Sequence, residues 1–326
     1  MSDADATTAT RVGTETRPWD AGAWRAPGRD EGSWGLTTIA PVAALYLIAW
    51  ILPMVFAVYA SLYDIPLTSR DWEFIGLANY RTVLWMEAFW LSLWRGVIFA
   101  TGSTLVQVGV GVWMALLINR IQEKDWPGKR IYATVAFTSF LVPTIVLVIL
   151  TLFMFDLFVG LFQVVGAKWL GLWSYETYLP SHRGAAMPLL IAVNSWKYAG
   201  FVALFTLAQR RSVPRRYYEA ARTYGATTWQ AFRDVTVPRI RGIVALIALF
   251  RFVFTFNQYD IVRMLTAGGP GSETTTLPVL AYGVTFGLGE YGLGNALAVV
   301  MFLSLFVSSL VYFAVFRPSE EVRTNV

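Results

Sequence analysis

Long runs of apolar residues alternate with short polar segments along this chain. Six such runs cover about residues 36–63, 89–119, 131–158, 187–208, 243–264 and 294–316. A helix rises 1.5 Å per residue, so about 20 apolar residues cross a hydrocarbon layer about 30 Å thick. Each run is long enough to do so. The pattern therefore predicts an all-α membrane protein with six transmembrane helices within residues 36–316.

Polar segments flank the six predicted spans at residues 1–35 and 317–326. The N-terminal segment lacks the basic start and apolar centre of a cleaved signal peptide. Its composition is typical of a disordered tail. An even number of spans places both tails on the same side of the membrane.

Lysine and arginine are distributed unequally among the predicted loops. Fourteen of them lie in residues 119–130, residues 209–242 and the C-terminal tail, whereas four lie in residues 64–88 and 159–186. Basic loops face the cytoplasm. Both termini and residues 209–242 are therefore predicted to be cytoplasmic, and the net charge of +5 reflects orientation in a lipid bilayer rather than binding to nucleic acid.

The composition supports a membrane protein and excludes several kinds of chemistry. Hydrophobic residues make up 56% and charged residues 14%, against about 25% charged residues in soluble domains. The chain has no cysteine and one histidine, His182, which excludes disulfides and cysteine or histidine metal clusters. It has no Gly-x-x-x-x-Gly-Lys-[Ser/Thr] motif for binding nucleotide phosphates. We therefore predict no metal and no cofactor bound by this chain, and no enzyme activity of its own.

Residues 209–242 are the longest predicted cytoplasmic segment between spans, and they carry signals for a helix-turn-helix between the fourth and fifth spans. Ser212 is placed to cap a first helix that has Pro214 in its first turn, and Gly225 is placed to end it. Thr227 and Gln230 have the spacing of a capping box, which predicts the start of a second helix. A further proline, Pro238, is expected to end that helix before the fifth span.

This hairpin contains more aromatic residues than a solvated loop needs: Tyr217, Tyr218, Tyr224, Trp229 and Phe232. An amphipathic helix that enters a partner's groove is one way to bury them. They can equally pack on the inner ends of this protein's own helices or on lipid headgroups. The sequence pattern leaves these alternatives open.

The segment EAARTYGATTWQAFRDVTVP resembles the EAA loop of ABC-importer permeases. The matching residues are Glu219, Ala220, Ala221, Gly225, Ala226 and Pro238. Tyr224 stands where that family usually has aspartate. In the family this loop docks on a cytoplasmic ATPase, so the resemblance implies that these residues couple the chain to an ABC ATPase dimer, and that ATP and Mg bind to that partner.

Further blocks resemble the carbohydrate-uptake branch of the same family, and specifically its maltose-type first permease. They include FIGLANY at residues 74–80, FNQYDIVRML at residues 256–265 and LTAGGPGSETTTL at residues 265–277. The resemblance implies a second permease subunit and an extracytoplasmic sugar-binding protein. The Gly-Gly-Pro block favours a distinct homologue as that second permease, and another copy of this chain is the open alternative. It also implies a bacterial or archaeal plasma membrane.

Polar residues within or beside the fourth and fifth spans are candidates for a sugar path. Charged side chains in hydrocarbon are costly unless they are paired or face water, and aromatic rings beside polar groups suit a sugar. Polar residues also hold membrane helices together, which is the alternative interpretation. The candidates are Asn194, Trp196, Lys197, Arg251, Asn257, Gln258, Tyr259 and Asp260.

The segment Gly268, Gly269 and Pro270 is a candidate outer gate, or simply a tight turn in an outer loop. Two other functions remain open. The cargo of an ABC permease can be glycerol phosphate or another polar solute. In a second class, an ion-coupled secondary transporter, Asp156, Lys197 and Arg251 would serve ion coupling. A membrane enzyme is disfavoured because no set of nucleophile and base stands out.

Overall fold

The computed structural model describes residues 31–67, 71–123 and 129–315 of the chain. Within these ranges helices dominate, and two short strands, β1 (Tyr63–Asp64) and β2 (Glu73–Phe74), pair antiparallel. The predicted C-terminal tail and residues 1–30 of the predicted N-terminal tail lie outside the described residues. A helix is already present at Glu31, before the predicted start of the first span at residue 36.

The chain divides into two units, one up to Phe56 and one from Ala57 onward. The first unit contains consecutive helical segments: α1 (Glu31–Tyr46), a π-helical turn (Leu47–Ile51) and the first part of α2 (Leu52–Ala60). The π turn ends two residues before Pro53. Proline lacks an N–H and its ring crowds the preceding turn, and the wider π turn lies where that crowding arises.

The second unit contains the remaining helices. They are α3 (Ala78–Trp85), α4 (Glu87–Glu123), α5 (Lys129–Leu141), α6 (Thr144–Met154), α7 (Ala186–Ser212), α8 (Arg215–Thr223), α9 (Thr228–Ala231), α10 (Val237–Phe256), α11 (Asp260–Thr266), α12 (Leu277–Tyr282) and α13 (Tyr291–Val315). Short π-helical segments lie at Gln163–Trp169, Phe232–Thr236 and Gly283–Gly287, and a 3₁₀ turn lies at Leu179–Ser181.

Four helices in the described part of the chain are long and apolar enough to cross a membrane without a break: Ile39–Ala60, Glu87–Gln122, Ala186–Ser212 and Tyr291–Ala314. Two further candidate spans are bent. The pair α5 and α6 turns by 100°, and the helix through α9 and α10 turns by 50° into α11. The prediction of an all-α membrane protein is confirmed. The count of six spans holds if each bent pair is one span.

The third predicted span is broken because of Pro143. A residue before proline is disfavoured in helical conformation, and Pro143 itself has an extended ψ of 140°. The break leaves the carbonyl of Val142 without a helical N–H donor, and it accepts a hydrogen bond from Nζ of Lys197 on α7. The second half of this span, α6, ends at Met154, before the predicted end at residue 158. A buried lysine thus supplies a donor where the helix cannot.

The centre of the second unit is the close contact between α4 and α7. A Cβ added to Gly111 would lie 2.6 Å from Cβ of Val202 and 2.9 Å from the carbonyl oxygen of Ala199. Membrane helices use such small residues because their backbones can then approach closely. Only glycine therefore fits at this point of α4.

Apolar residues extend the packing on both sides of this contact. One core cluster joins α4, α6, α7, α11 and α12 through Phe99, Leu147, Val148, Leu190, Val193, Ile261, Val262, Leu265 and Val279. A second joins α3, α4, α10, α12 and α13 through Val83, Phe89, Ala100, Phe256, Leu277, Val284, Ala296 and Leu297. The bent helices are thereby held against α4 and α7.

The FIGLANY block has a structural role in the loop between β1 and α3. Nδ2 of Asn79 donates to the carbonyl oxygens of Ser61 and Tyr63, both at 2.9 Å. The Tyr80 hydroxyl lies 2.5 Å from Oγ of Ser61. Buried carbonyl groups need such partners. The block therefore fixes the path of the chain just after the first span.

We expect Gly111→Ala to destabilise the protein, because the added methyl group overlaps Val202 at the α4–α7 contact. Overpacking of this kind costs about 1–3 kcal/mol. The midpoint of thermal unfolding of the purified chain in detergent measures the effect. Gly109→Ala is the matched control, since a Cβ there meets nothing within 4 Å. Equal unfolding midpoints for the two variants would contradict the importance of this contact.

Candidate functional site

The candidate coupling hairpin begins where α7 ends. Ser212 is the last residue of α7, and its Oγ donates to the carbonyl oxygen of Gln209 at 2.8 Å. The predicted cap of the next helix by Ser212 is therefore wrong. Val213 takes an extended conformation, as expected before proline, so the chain leaves α7 and α8 starts after Pro214.

The turn that ends α8 depends on Gly225, as predicted. This glycine has a φ of +77°, in the left-handed region. Its amide donates to the carbonyl of Arg222, and the amide of Ala226 donates to the carbonyl of Ala221, both at 2.9 Å. These two bonds form a Schellman motif, which satisfies the free carbonyls of a helix end.

The second helix begins with the predicted capping box but continues further than predicted. The amide of Gln230 donates to Oγ1 of Thr227, and the amide of Thr227 donates to Oε1 of Gln230 at 2.7 Å. Pro238 does not end the helix, because it lies in the first turn of α10 directly after a π-helical turn. Proline is tolerated in a first turn. The hairpin is thus continuous with the fifth span.

Two tyrosines of α8 pack against the C-terminal end of α7 and the N-terminal end of the helix that continues as α10. The Tyr218 hydroxyl lies 3.0 Å from Oγ1 of Thr236, and the guanidinium of Arg210 stacks 4.0 Å from the centre of its ring. The guanidinium of Arg239 lies 3.8 Å from the ring of Tyr217. The Arg239 and Arg216 guanidinium groups hold the pKa of the Tyr217 hydroxyl below its usual value. These contacts fix α8 to both neighbouring helices.

The other face of the hairpin is open. Tyr224 is 91% exposed and Trp229 is 66% exposed. Glu219 is exposed as well and forms an ion pair with Arg215 at 3.1 Å. Of the other EAA-loop residues, Ala220, Gly225 and Pro238 are exposed, and Ala221 and Ala226 are half-buried. The hairpin therefore presents aromatic and charged side chains outward.

A buried polar cluster lies where α4, α7 and α10 meet. Nε of Arg251 donates to Oε1 of Gln107 at 2.7 Å, and Nη2 donates to Oγ1 of Thr255 at 3.2 Å. The guanidinium also stacks 3.8 Å from the centre of the Tyr198 ring. Arg251 is only 4% exposed. A charge buried this deeply needs such partners to be tolerated in hydrocarbon.

Two predicted residues of α7 complete this cluster. Lys197 is 5% exposed, and its Nζ lies 5.4 Å from the centre of the same Tyr198 ring. Asn194 is fully buried, and neither polar atom of its side chain has a partner among the described residues. Most buried amides are hydrogen-bonded. The cluster thus has a cationic side and an amide with free hydrogen-bonding capacity.

The remaining candidates for the sugar path lie elsewhere. Trp196 is 55% exposed, because it lies on the opposite face of α7 from Asn194. Asn257 is exposed, and its Nδ2 donates to the carbonyl of Val253 at 3.1 Å. Gln258 and Tyr259 are half-buried and Asp260 is exposed, at the bend between α10 and α11. The structure therefore brings three of the eight predicted residues into one cluster.

Sequence reasoning missed the contribution of α4 to this cluster. Gln107 is fully buried, and Ser103 and Thr104 lie one turn before it, also buried. Oγ of Ser195 donates to the carbonyl of Ser103 at 3.3 Å. The available signal was the helical spacing of three polar residues within an apolar run, which places them on one face.

The candidate outer gate is a compact, hydrogen-bonded loop. Gly268 is buried with a φ of +87°, and a Cβ there would lie 2.7 Å from Oγ1 of Thr275. Oγ1 of Thr275 donates to the Gly268 carbonyl at 3.0 Å, and Oγ1 of Thr274 donates to the Gly269 carbonyl at 2.7 Å. Pro270 follows a cis peptide bond. This geometry is that of a tight turn, and the gating role stays a prediction.

Known transport proteins are similar to this chain in sequence. A permease named trehalose/maltose transport system permease protein MalF, from Thermococcus litoralis, is 29% identical over 287 residues, which cover 88% of this chain and 95% of that protein. The sulfoquinovosyl glycerol transport system permease protein SmoG of Agrobacterium fabrum is 30% identical, with 86% of this chain and 90% of that protein covered.

A solved structure agrees in fold. A chain of a bacterial alginate ABC transporter, in complex with an alginate pentasaccharide-bound periplasmic protein, superimposes with a TM-score of 0.77 at 20% identity, covering 91% of this chain and 98% of that one. Residues 107–319 match the family model described as binding-protein-dependent transport system inner membrane component. These residues include both the hairpin and the α7 and α10 parts of the polar cluster. The chain belongs to the family of inner membrane components of binding-protein-dependent transport systems.

Proposed function

We propose that this chain is the permease subunit of an ATP-driven, binding-protein-dependent sugar importer. It forms half of the translocation path together with a second permease, a distinct homologue. It couples through the hairpin to a dimer of separate ABC ATPases, which bind the ATP and Mg. The observation that carries this proposal is that α7 and α10 hold the hairpin at one end and the buried polar cluster along their length.

The hairpin suits the role of a coupling element because it is joined to both helices. The contacts of Tyr217 with Arg239, and of Tyr218 with Arg210 and Thr236, link α8 to α7 and α10. A displacement of α8 by a partner therefore moves both helices. By resemblance, Glu219 meets a basic residue of the ATPase, and the exposed ring of Tyr224 is available to the same partner.

The polar cluster suits the role of a sugar contact because it combines a ring with donors and acceptors. The Asn194 amide has both a donor and an acceptor without partners. The ring of Tyr198 offers an apolar face beside it. Conformational switching of α7 and α10 would expose this cluster alternately to the two sides of the membrane. The names of the relatives, among them trehalose/maltose and sulfoquinovosyl glycerol permeases, support a sugar or glycoside as the cargo.

The opposite end of the molecule suits delivery by a binding protein. The ion pair of Arg183 with Glu273 at 3.7 Å, and the bond from the Gly184 amide to Glu273 at 3.1 Å, join the loop before α7 to the Gly268–Pro270 turn. We assign these loops to the outer face and both termini to the cytoplasm of a bacterium or archaeon. The distribution of lysine and arginine supports this orientation.

A polar anion such as glycerol phosphate is the second candidate cargo. Lys197 and Arg251 are both buried beside Tyr198, and no described carboxylate lies within ion-pairing distance of either. Two such cations favour an anionic group in the path. Competition of a neutral sugar and of glycerol phosphate for uptake separates the two cargoes.

Gentle purification of the tagged chain from its native membrane tests the proposal directly. We expect a P-loop ATPase and a second permease with several spans to copurify, and transport in liposomes to require ATP. Recovery of the chain alone, active in liposomes with an ion gradient and no ATP, would instead establish an ion-coupled secondary transporter.

We expect Glu219→Ala to lower solute-stimulated ATP hydrolysis of the assembled complex at least fivefold, because a charged contact with the ATPase is lost. Arg215→Ala is the matched control, since it removes the same surface ion pair but keeps Glu219. Exposed ion pairs contribute about 0–1 kcal/mol, so neither variant should unfold. Equal losses of activity in both variants would assign the effect to the ion pair within the hairpin.

We expect Gly225→Val to uncouple transport from ATP hydrolysis, because a β-branched residue is strained at a φ of +77° and the hairpin turn then shifts. Uptake by the complex in liposomes and its ATP hydrolysis, measured together, show the effect. Gly171→Val is the control, since Gly171 has a φ of +61° and is equally free of neighbours. If Gly225→Val retained uptake coupled to ATP hydrolysis, the left-handed turn at this position would not be required for coupling.

We expect Asn194→Leu to raise the KM for uptake about tenfold, which corresponds to one or two lost hydrogen bonds to the solute. Thermal stability should be unchanged or higher, because a buried amide without partners is replaced by a side chain of similar size. Thr206→Val is the control. Thr206 lies on the same helix as Asn194, and its Oγ1 is likewise buried without a partner among the described residues. An unchanged KM for Asn194→Leu would exclude this residue from the path.

A further inference from the structure

A groove of about 970 Å³ lies between the C-terminal part of α4 and the coupling hairpin. One side is apolar. Trp113 and Leu117 of α4 are 62% and 42% exposed, and Trp229 of α9 faces the same space. Tryptophan favours the boundary between hydrocarbon and water. The groove therefore opens at the level where α4 leaves the hydrocarbon.

The other side of the groove is strongly basic. Among the described residues, three arginines line it, namely Arg120 of α4, Arg210 of α7 and Arg222 of α8, and no acidic residue does. The acids of the hairpin are engaged elsewhere, because Glu219 pairs with Arg215 and Asp234 pairs with Arg233. The arginines thus produce a positive field in the groove.

Two of these arginines are available for a ligand. Arg120 and Arg222 are exposed, and neither forms an ion pair with a described residue. Arg210 is held against the Tyr218 ring at 4.0 Å, and its side chain lines the same groove. Guanidinium groups bind phosphate oxygens in pairs of hydrogen bonds. A phosphate is therefore the anion that this arrangement fits best.

The order of the two sides along α4 identifies the source of that phosphate. Trp113 precedes Arg120 by seven residues, or about 10 Å along the helix. An apolar wall within the hydrocarbon and a basic end at its surface match the acyl chains and the phosphate of a phospholipid. A soluble acidic protein would complement the arginines but would leave Trp113 and Leu117 without an apolar partner.

We propose that this groove is a binding site for one anionic phospholipid of the cytoplasmic leaflet, whose phosphate contacts Arg120, Arg210 and Arg222. The site rests on the cytoplasmic placement of the hairpin in the proposed function. A lipid bound there contacts α4 and the hairpin together, and so restrains the coupling element from the membrane side.

The test is lipid binding to the delipidated full-length chain in detergent, measured by native mass spectrometry with added phosphatidylglycerol or phosphatidylcholine. We expect phosphatidylglycerol to bind at one preferred site. The double variant Arg120→Gln with Arg222→Gln should bind it about thirtyfold more weakly, which corresponds to the loss of about 1 kcal/mol of binding free energy per arginine. The matched control is Arg211→Gln with Arg215→Gln, which removes two hairpin charges outside the groove and should change binding less than twofold.

Several outcomes would overturn the proposal. These are equal phosphatidylglycerol binding by both double variants, equal binding of phosphatidylcholine and phosphatidylglycerol, and displacement of the lipid by millimolar inorganic phosphate, which would indicate a site for a free anion. Loss of the lipid when ATPase subunits are added would assign the groove to that protein contact. The assay measures neither transport nor ATP hydrolysis. A negative result would therefore contradict the lipid site without contradicting the proposed importer function.

Discussion

Hydrocarbon offers no hydrogen bonds, so each backbone N–H and C=O in a membrane-spanning segment must find its partner within the protein. This constraint governs the whole second unit. Where Pro143 interrupts the third span, Lys197 supplies a donor for the carbonyl of Val142. Where the fifth span bends, the backbone amide and the side chain of Asn257 both donate to the carbonyl of Val253. Polar side chains therefore contribute hydrogen bonds at both bends.

The same constraint explains why the buried polar cluster is centred on α7. The close contact with α4 at Gly111 brings the backbones of the two helices together, and polar groups of α4, α7 and α10 meet beside it. Arg251 from α10 meets Gln107 from α4 across this contact. Lys197 connects α7 to the broken span as well. One helix thereby joins the hairpin, the cluster and the bent third span.

Features that depend on neighbouring residues were predictable from the sequence. The apolar runs, the capping box at Thr227 and the left-handed turn at Gly225 each need only a few adjacent positions. Ser212 and Pro238 were misassigned because the competing structures, an extended residue before Pro214 and a π-helical turn, have weaker sequence signals. The fold class was accessible for the same reason, since apolar length alone defines a span.

The polar cluster was less accessible because its parts are distant in sequence. Gln107 and Arg251 are 144 positions apart, and no local pattern indicates that they meet. Asn194 and Trp196 are almost adjacent in the sequence, but Asn194 is buried and Trp196 is exposed because they lie on different faces of α7. Only the packing of α4 on α7 shows which face of each helix is inside.

The exposed aromatic face of the hairpin affects how the unassembled protein is handled in the cell. Tyr217 and Tyr218 contact Arg239 and Arg210, whereas Tyr224 and Trp229 are 91% and 66% exposed. Apolar surface of this kind marks an interaction site or an aggregation hazard. In the importer that we propose, a copy of this chain made in excess of its partners would display these rings to chaperones and proteases. Balanced production of the subunits would then be a requirement set by the exposed face of this hairpin.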